Sequence, residues 1–391
     1  MRKTLFIALF IGFVNILSFT IIIPIIYVYA REYGLNNFQT SLLFGLFPLA
    51  QFFATPVIGK LADIFGRKKL LVISLFGTGV ASLMTAFAPT VLFLFLARFL
   101  DGVTGGNNSV AQAVISDIVE PKNRAKIFGI FGAMFGLGFI VGPILSLVFV
   151  KYSLNMPYIA SALFAFTAMI ITLFFLPETL KKIDEKTSVN CKKLFNKEIF
   201  TAYKIPKLAP LFIISLASGL TFTMFTFTFQ PYILNGLGGT VQDITYLLIL
   251  FGMVSMLVQI FAIGPISKKF KLIYIISVAL FLRGITFILL PIIPIFWYFV
   301  VVSVALSLVN PLVKPIITTL ITNISDSKRI GEMLGINTSY LSLSNAIGPV
   351  IGGVLLGINL RAPFIIAGIF IIFIAYFAFR YRFHYISIDK S

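Results

Sequence analysis

Gly59-Lys60-Leu61-Ala62-Asp63-Ile64-Phe65-Gly66-Arg67-Lys68-Lys69 is a short polar interruption between two long apolar stretches. A glycine lets backbones approach closely or turn tightly, and here two stand seven residues apart. Asp63 precedes Arg67 by four residues, so the two can pair across one helical turn, or Asp63 can cap a neighbouring helix N-terminus. A loop whose basic residues only orient a membrane segment needs neither the acid nor the two glycines. Gly59, Asp63, Gly66, Arg67 and Lys68 therefore read as a structured turn. Its echo further along, Gly264-Pro265-Ile266-Ser267-Lys268-Lys269-Phe270, lacks the acid and the second glycine.

The sequence around that turn is made for lipid. Hydrophobic residues are 59% of the 391 and charged residues 11%, against about 25% charged in soluble domains. A soluble fold cannot bury so much apolar surface behind so few polar groups, and a disordered chain is excluded by the same figures. At roughly 20 residues per span, the apolar content suits twelve transmembrane helices. The expected fold is all-α and integral to the membrane, in two six-helix halves. A net charge of +18 would suggest nucleic acid in a soluble protein. Here, with the N-terminus and every second loop placed inside, 25 of the 31 Lys and Arg fall on the inside and three on the outside. That asymmetry orients a membrane protein with both termini cytoplasmic, and no nucleic-acid partner is needed to explain it. The N-terminal run resembles a secretory signal at first, but the apolar stretch continues through Ala30 without a good cleavage site, so it reads as a retained first helix.

The longest polar stretch, 177–207, divides the chain into a 1–176 half and a 208–391 half, with a cytoplasmic linker between. The halves echo each other. Ile115-Ser116-Asp117 matches Ile321-Thr322-Asn323, Gly129-Ile130 matches Gly335-Ile336, and Gly142-Pro143 matches Gly348-Pro349, all at an offset of 206. Parallel six-helix repeats are one of the known transporter plans, with the substrate site near the midplane at the repeat interface.

The fourth span, about 91–117, carries Arg98, Asp101, Gly105, Asn108 and Gln112 at steps of three and four, which places them on one helix face. Charge facing lipid is costly, so that face points to protein or water. Asp101 lies ten residues in, roughly 15 Å, and no other carboxylate is so deep. It is either a titrating or substrate-binding group or a structural partner of Arg98. The tenth span has a matching stripe, Ser303, Ser307, Asn310, Lys314 and Thr318. Lys314 either neutralises an anionic substrate group or snorkels to the cytoplasmic end. The seventh offers Ser215, Gly219, Thr223, Thr226 and Gln230 among phenylalanines, a composition suited to a small-molecule pocket. Together with Asn15 of the first span, Asn108, Gln112, Thr223, Gln230, Asn310 and Lys314 form the expected substrate cavity. Arg283 is expected to be structural.

No nucleotide-binding loop of the Gly-Lys-Ser/Thr type occurs. A single cysteine, Cys191, and a single histidine, His384, leave no disulfide frame, metal site or catalytic triad. An enzyme is not expected, nor a cofactor.

The turn at 59–69 closely resembles the signature loop of the major facilitator superfamily, departing at Ile64, where a basic residue is usual. Leu94-Phe95-Leu96-Ala97-Arg98-Phe99-Leu100-Asp101-Gly102 resembles the fourth-helix motif of its proton-driven exporters. Gly138-Phe139-Ile140-Val141-Gly142-Pro143 resembles their fifth-helix antiporter motif, with the fuller form at Gly348-Pro349-Val350-Ile351-Gly352-Gly353. Leu176-Pro177-Glu178-Thr179 resembles the close of the first half. The stretch from Gly59 to Thr179 is most similar to the tetracycline/proton antiporters, which usually carry an acid where Asn15 stands. The resemblance implies a secondary transporter in the cell membrane, a proton-coupled exporter of a small amphiphilic molecule or drug acting as a monomer. A facilitator or importer, or a non-transporting receptor or scaffold, is the alternative on the same fold. It also implies coupling through Asp101 and Arg98, gating through the Asp63/Gly66/Arg67 turn, and helix packing through Gly138, Gly142, Pro143, Gly348 and Pro349.

Overall fold

The computed structural model describes residues 2–180, 208–325 and 330–380, and every regular element among them is helical. In chain order these are α1 (Arg2–Thr20), α2 (Ile26–Glu32), α3 (Asn37–Phe65), α4 (Arg67–Ala86), α5 (Val91–Thr104), α6 (Asn107–Ile118), α7 (Pro121–Val150) and α8 (Met156–Phe175). There follow α9 (Ala209–Pro231), α10 (Val241–Leu257), α11 (Ile263–Lys269), α12 (Leu272–Leu289), α13 (Phe296–Ile324), α14 (Ile330–Ile358) and α15 (Ala362–Arg380). Among the described residues ten helical stretches are long and apolar enough to cross a membrane. The consecutive pair α5–α6 supplies the fourth span and α7 the fifth, so the twelve-helix architecture holds.

Two spans differ from their sequence reading. The first ends as a helix at Thr20, turns through 21–25 and resumes as α2. Pro24 explains the turn, because proline lacks a donor and restricts the residue before it. The fourth is broken at Gly105-Gly106 rather than continuous from 91 to 117. On α5 the buried face is Leu94, Ala97, Arg98, Asp101 and Gly102. On α6 it is Asn107, Val110, Ala111, Val114 and Ile115. A continuous helix would have carried the first face on through Gly105, Asn108 and Gln112. The break turns a different face inward, so the single stripe expected from Arg98 to Gln112 is two faces.

The chain falls into two compact units, Met1–Leu35 with Leu46–Phe195, and Asn36–Gly45 with Asn196–Ser391. In the first, α1 packs on α7 where small residues allow it. A side chain at Gly138 would strike Ile16, and one at Gly142 would strike Thr20. The Thr20 hydroxyl donates to the Gly138 carbonyl at 2.8 Å. Gly79 accommodates the ring of Phe166 between α4 and α8, and Gly102 lies against the Phe47 carbonyl and Ala50 of α3.

In the second unit α9 packs on α14 by the same device. Gly348 leaves room for Thr223, whose hydroxyl donates to the Ser344 carbonyl at 2.9 Å. Ser344 stands 206 residues after Gly138, and Gly348 stands 206 after Gly142. Gly284 and Gly368 bring α12 and α15 backbone to backbone. Phe225 lies at the centre of the aromatic core, with ring centroids of Phe229, Phe287 and Phe251 at 5.6, 5.6 and 5.7 Å. Phe225, Phe227 and Phe229 are buried there as packing.

Candidate functional site

The turn between α3 and α4 is a charge network. Gly66 has φ +98°, a conformation that L side chains rarely adopt, and it frees the N-terminus of α4 to face outward. Glu178 occupies that terminus. Its carboxylate accepts the Arg67 amide at 2.9 Å and the Lys68 amide at 3.2 Å, where an anion meets unsatisfied N–H groups and the positive end of the helix dipole. A side chain on Gly66 would collide with that carboxylate. The Arg67 guanidinium pairs with Asp63 at 2.5 Å and with Asp117 at 3.2 Å, and the Thr179 hydroxyl donates to the same Asp117 oxygen at 3.2 Å. The Asp63–Arg67 pairing expected from the spacing is present. The parts missed are Asp117, at the end of α6, and Glu178, 111 residues from Arg67. The Pro-Glu-Thr string marked Glu178 as noteworthy, but nothing in a linear sequence ties it to Gly66. Gly59 corrects its reading: a side chain there would meet nothing within 4 Å among the described residues, so it serves no close approach.

Asp101 and Arg98 are buried together on α5, 3.7 Å apart. Thr78 of α4 is the polar neighbour of the Asp101 carboxylate, and the ring of Tyr158 lies 5.9 Å from the Arg98 guanidinium carbon. Tyr158 in turn stacks obliquely on Tyr29 of α2 at 4.8 Å. The cluster thus draws on α2, α4, α5 and α8. The buried carboxylate and guanidinium have each other as charged neighbours, which is the arrangement that tolerates ions away from water.

The break next to this pair has its own chemistry. The Gln51 amide of α3 donates to the Gly105 carbonyl at 2.7 Å, satisfying an acceptor that the interrupted helix releases. Asn107, not Asn108, is fully buried. Its side-chain oxygen accepts the Asn108 amide at 3.0 Å, while its amide nitrogen and the Asn108 side-chain oxygen are buried without a partner. Asn108, Gln112 and Asn15 are half-buried. Gln51, Thr78 and Asn107 were not singled out from sequence, since each depends on where the helix breaks.

In the second unit the predicted cavity residues separate. Thr223 is tied to Ser344 and Gly219 and serves packing. Gln230 is fully buried. Asn310 is half-buried and Lys314 exposed. Arg283 is the largest fully buried residue among the described ones. It donates to the Ser218 hydroxyl and carbonyl, both at 2.7 Å, and to the Thr221 hydroxyl at 3.0 Å. The rings of Phe222 and Phe287 flank it at 5.6 and 5.2 Å, within cation–π range.

Residues 8–209 and 211–385 match the sequence profile of the Major Facilitator Superfamily. The chain belongs to that superfamily. Within it, similar relatives are drug resistance proteins by name. The chain is 26% identical over 365 residues to the class H tetracycline resistance protein of Pasteurella multocida, covering 90% of this chain and 88% of that one. It is 27% identical over 368 residues to the quinolone resistance protein NorA of Staphylococcus aureus, covering 94% and 93%. The crystal structure of a peptide transporter POT in complex with sulfate superposes with a TM-score of 0.79 at 16% identity, covering 97% and 94%, which is a likeness of fold. The protein is a multi-pass membrane transporter of the superfamily's drug/proton-antiporter-like group.

Proposed function

We propose that this facilitator-superfamily chain exports a small amphiphilic, drug-like molecule from the cell in exchange for protons. It acts as a monomer in the cell membrane, with both termini and the 177–207 linker cytoplasmic. The drug-resistance names of its relatives within a transporter superfamily support export, and the distribution of Lys and Arg supports the orientation. The observation that carries the coupling is the buried Arg98–Asp101 pair, whose carboxylate is the one set in the middle of a span among the described residues. Protonation of Asp101 would release Arg98 and alter a contact between α4 and α5, so that one proton biases the packing of several helices. The turn at Asp63, Gly66 and Arg67, braced by Asp117 and Glu178, is the element that would lock and unlock one end of the first unit during the cycle.

The test is drug uptake into inside-out vesicles energised by an imposed pH gradient. Accumulation that collapses with the gradient supports antiport, while accumulation that persists without any gradient overturns it. Topology is checked separately. Cys191, which lies outside the described residues, should react with an impermeant thiol reagent only after permeabilisation, and reaction in sealed right-side-out membranes refutes the orientation.

A further inference from the structure

The eighth span runs through α10, a π-helical turn at Val258–Ala262 and α11 as one helical stretch, Val241–Lys269, of 29 residues. Between Asp243 and Lys268 it carries no Asp, Glu, Lys or Arg. Gln259 lies four residues past its midpoint, about 6 Å along the axis. In a hydrocarbon core of about 30 Å that leaves roughly 9 Å to the nearer edge, more than a glutamine side chain spans.

The spacing of the span divides it into two faces. Tyr246, Met253, Leu257, Ile260 and Phe261 are exposed and recur at helical intervals, so they mark the side that faces lipid. Thr245, Leu248, Gly252, Ser255 and Gln259 follow one another at steps of three, four, three and four, which makes a second face. At 3.6 residues per turn, Gln259 stands about 100–160° around the helix from each of the lipid-facing residues. Burial changes along the second face. Thr245, Leu248 and Gly252 are buried, Ser255 is half-buried and Gln259 is exposed. The opening at Gln259 is therefore on the side away from lipid. Exposing a carboxamide to hydrocarbon is costly, and this register spares Gln259 that cost.

The backbone leaves α geometry at the same place. The Ile263 amide donates to the Val258 carbonyl, five residues back, whereas the Val258 amide still reaches the Val254 carbonyl. Single π turns inside α-helices are rare and are frequent at functional sites. Half-buried Met256, Ala262 and Ile263 flank Gln259, and apolar walls around a few placed polar groups are the make-up of a small-molecule site.

We infer that Gln259 is a specificity-determining residue whose carboxamide hydrogen-bonds a neutral carbonyl or amide group of the transported molecule, with the Ser255 hydroxyl one turn away as a second polar contact. A carboxamide both donates and accepts, and the span supplies no countercharge for an ion, so the group engaged is neutral. This deepens the export reading above and rests on it for the direction of transport, but not for the binding.

The experiment uses the full chain with Cys191→Ser as background. In lipid nanodiscs, Gln259→Cys should react with a hydrophilic maleimide, while Leu257→Cys and Phe261→Cys on the lipid side should not. Binding is read by thermal stabilisation of the purified protein with two probes on one aromatic scaffold, one bearing a carboxamide and the other its hydrocarbon isostere. The carboxamide probe should stabilise the wild type more and should protect Gln259→Cys from the maleimide. Gln259→Met, similar in length and unable to donate, should weaken the carboxamide probe about fivefold, the scale of one neutral hydrogen bond, and leave the isostere unchanged. Gradient-driven uptake into proteoliposomes reads transport, and discrimination in binding without uptake refutes the export reading while leaving this inference standing. An unreactive Gln259→Cys, a wild type that does not prefer the carboxamide probe, or a folded Gln259→Met that weakens neither probe or both alike overturns the inference.

Discussion

The two halves share a packing scheme and differ in where they keep charge. Gly142 makes room for Thr20 in the first half as Gly348 does for Thr223 in the second, and the hydroxyls donate to the carbonyls of Gly138 and Ser344. These glycines and carbonyls are related by the same offset of 206. At that offset Asp101 corresponds to Ser307, and near it Thr78 corresponds to Arg283. The acid of one half is a serine in the other, and the threonine beside the acid is an arginine that bonds serine and threonine. The first half breaks its first and fourth spans, whereas α9 and α13 run unbroken through the corresponding stretches. Duplication thus preserved the contacts that set interhelical distance and left the buried polar groups free to diverge, because packing depends on volume and the polar groups need only be satisfied locally.

The strongest way to break this comparison is to give the first half the second half's residue. Asp101→Ser, or Asp101→Asn, should abolish accumulation against a gradient while counterflow exchange persists. Accumulation at the wild-type rate in either variant would reduce Asp101 to a structural partner of Arg98. Both activities must be measured in the same reconstituted preparation.

Next in size is the shared packing. Gly142→Leu and Gly348→Leu should each destabilise the folded protein by about 1–3 kcal/mol, the usual cost of overpacking, and by similar amounts. Melting in detergent compares them. A large cost at one site and none at the other would show that the two repeats do not use the glycine alike.

The charged turn exists in the first half only, so it sharpens the contrast. Asp117→Asn should slow turnover more than Asp63→Asn, because the Asp117 side chain is 24% exposed and Asp63 59%, and exposed ion pairs contribute little. Transport rates at saturating substrate should fall several-fold for Asp117→Asn, with substrate affinity nearly intact. Lys268→Ala in the second half's turn should leave the rate unchanged. Equal rates for Asp117→Asn and wild type would remove the turn from the gating step.

The smallest effect is expected at Gly59. With open space around it and a helical backbone, Gly59→Ala should be neutral or stabilising by up to about 1 kcal/mol. A clear loss of stability there would restore the close-approach reading.

Hydropathy, charge asymmetry and repeat offset determined from sequence alone that this chain crosses the membrane about a dozen times in two related halves. Those properties are sums over many residues, and a local exception such as the Pro24 turn does not disturb them. Sequence also offered the Arg98–Asp101 pair as one of two readings, because a spacing of three residues is a contact on a helix, and the Asp63–Arg67 pair as one of two, although the structure makes that contact across the Gly66 turn between α3 and α4. It could not determine that Glu178 caps α4, that Gln51 bonds Gly105, or that Ser218 and Thr221 hold Arg283. Each of those joins residues more than 50 positions apart, and such contacts exist only once helices pack. The glycine pair at 105–106 is the instructive case. Its composition permits a kink, but two glycines are tolerated in a packed helix as well, and only the competition between α3, α4 and α5 for one another's surfaces decided that the fourth span breaks there and turns Asn107 inward.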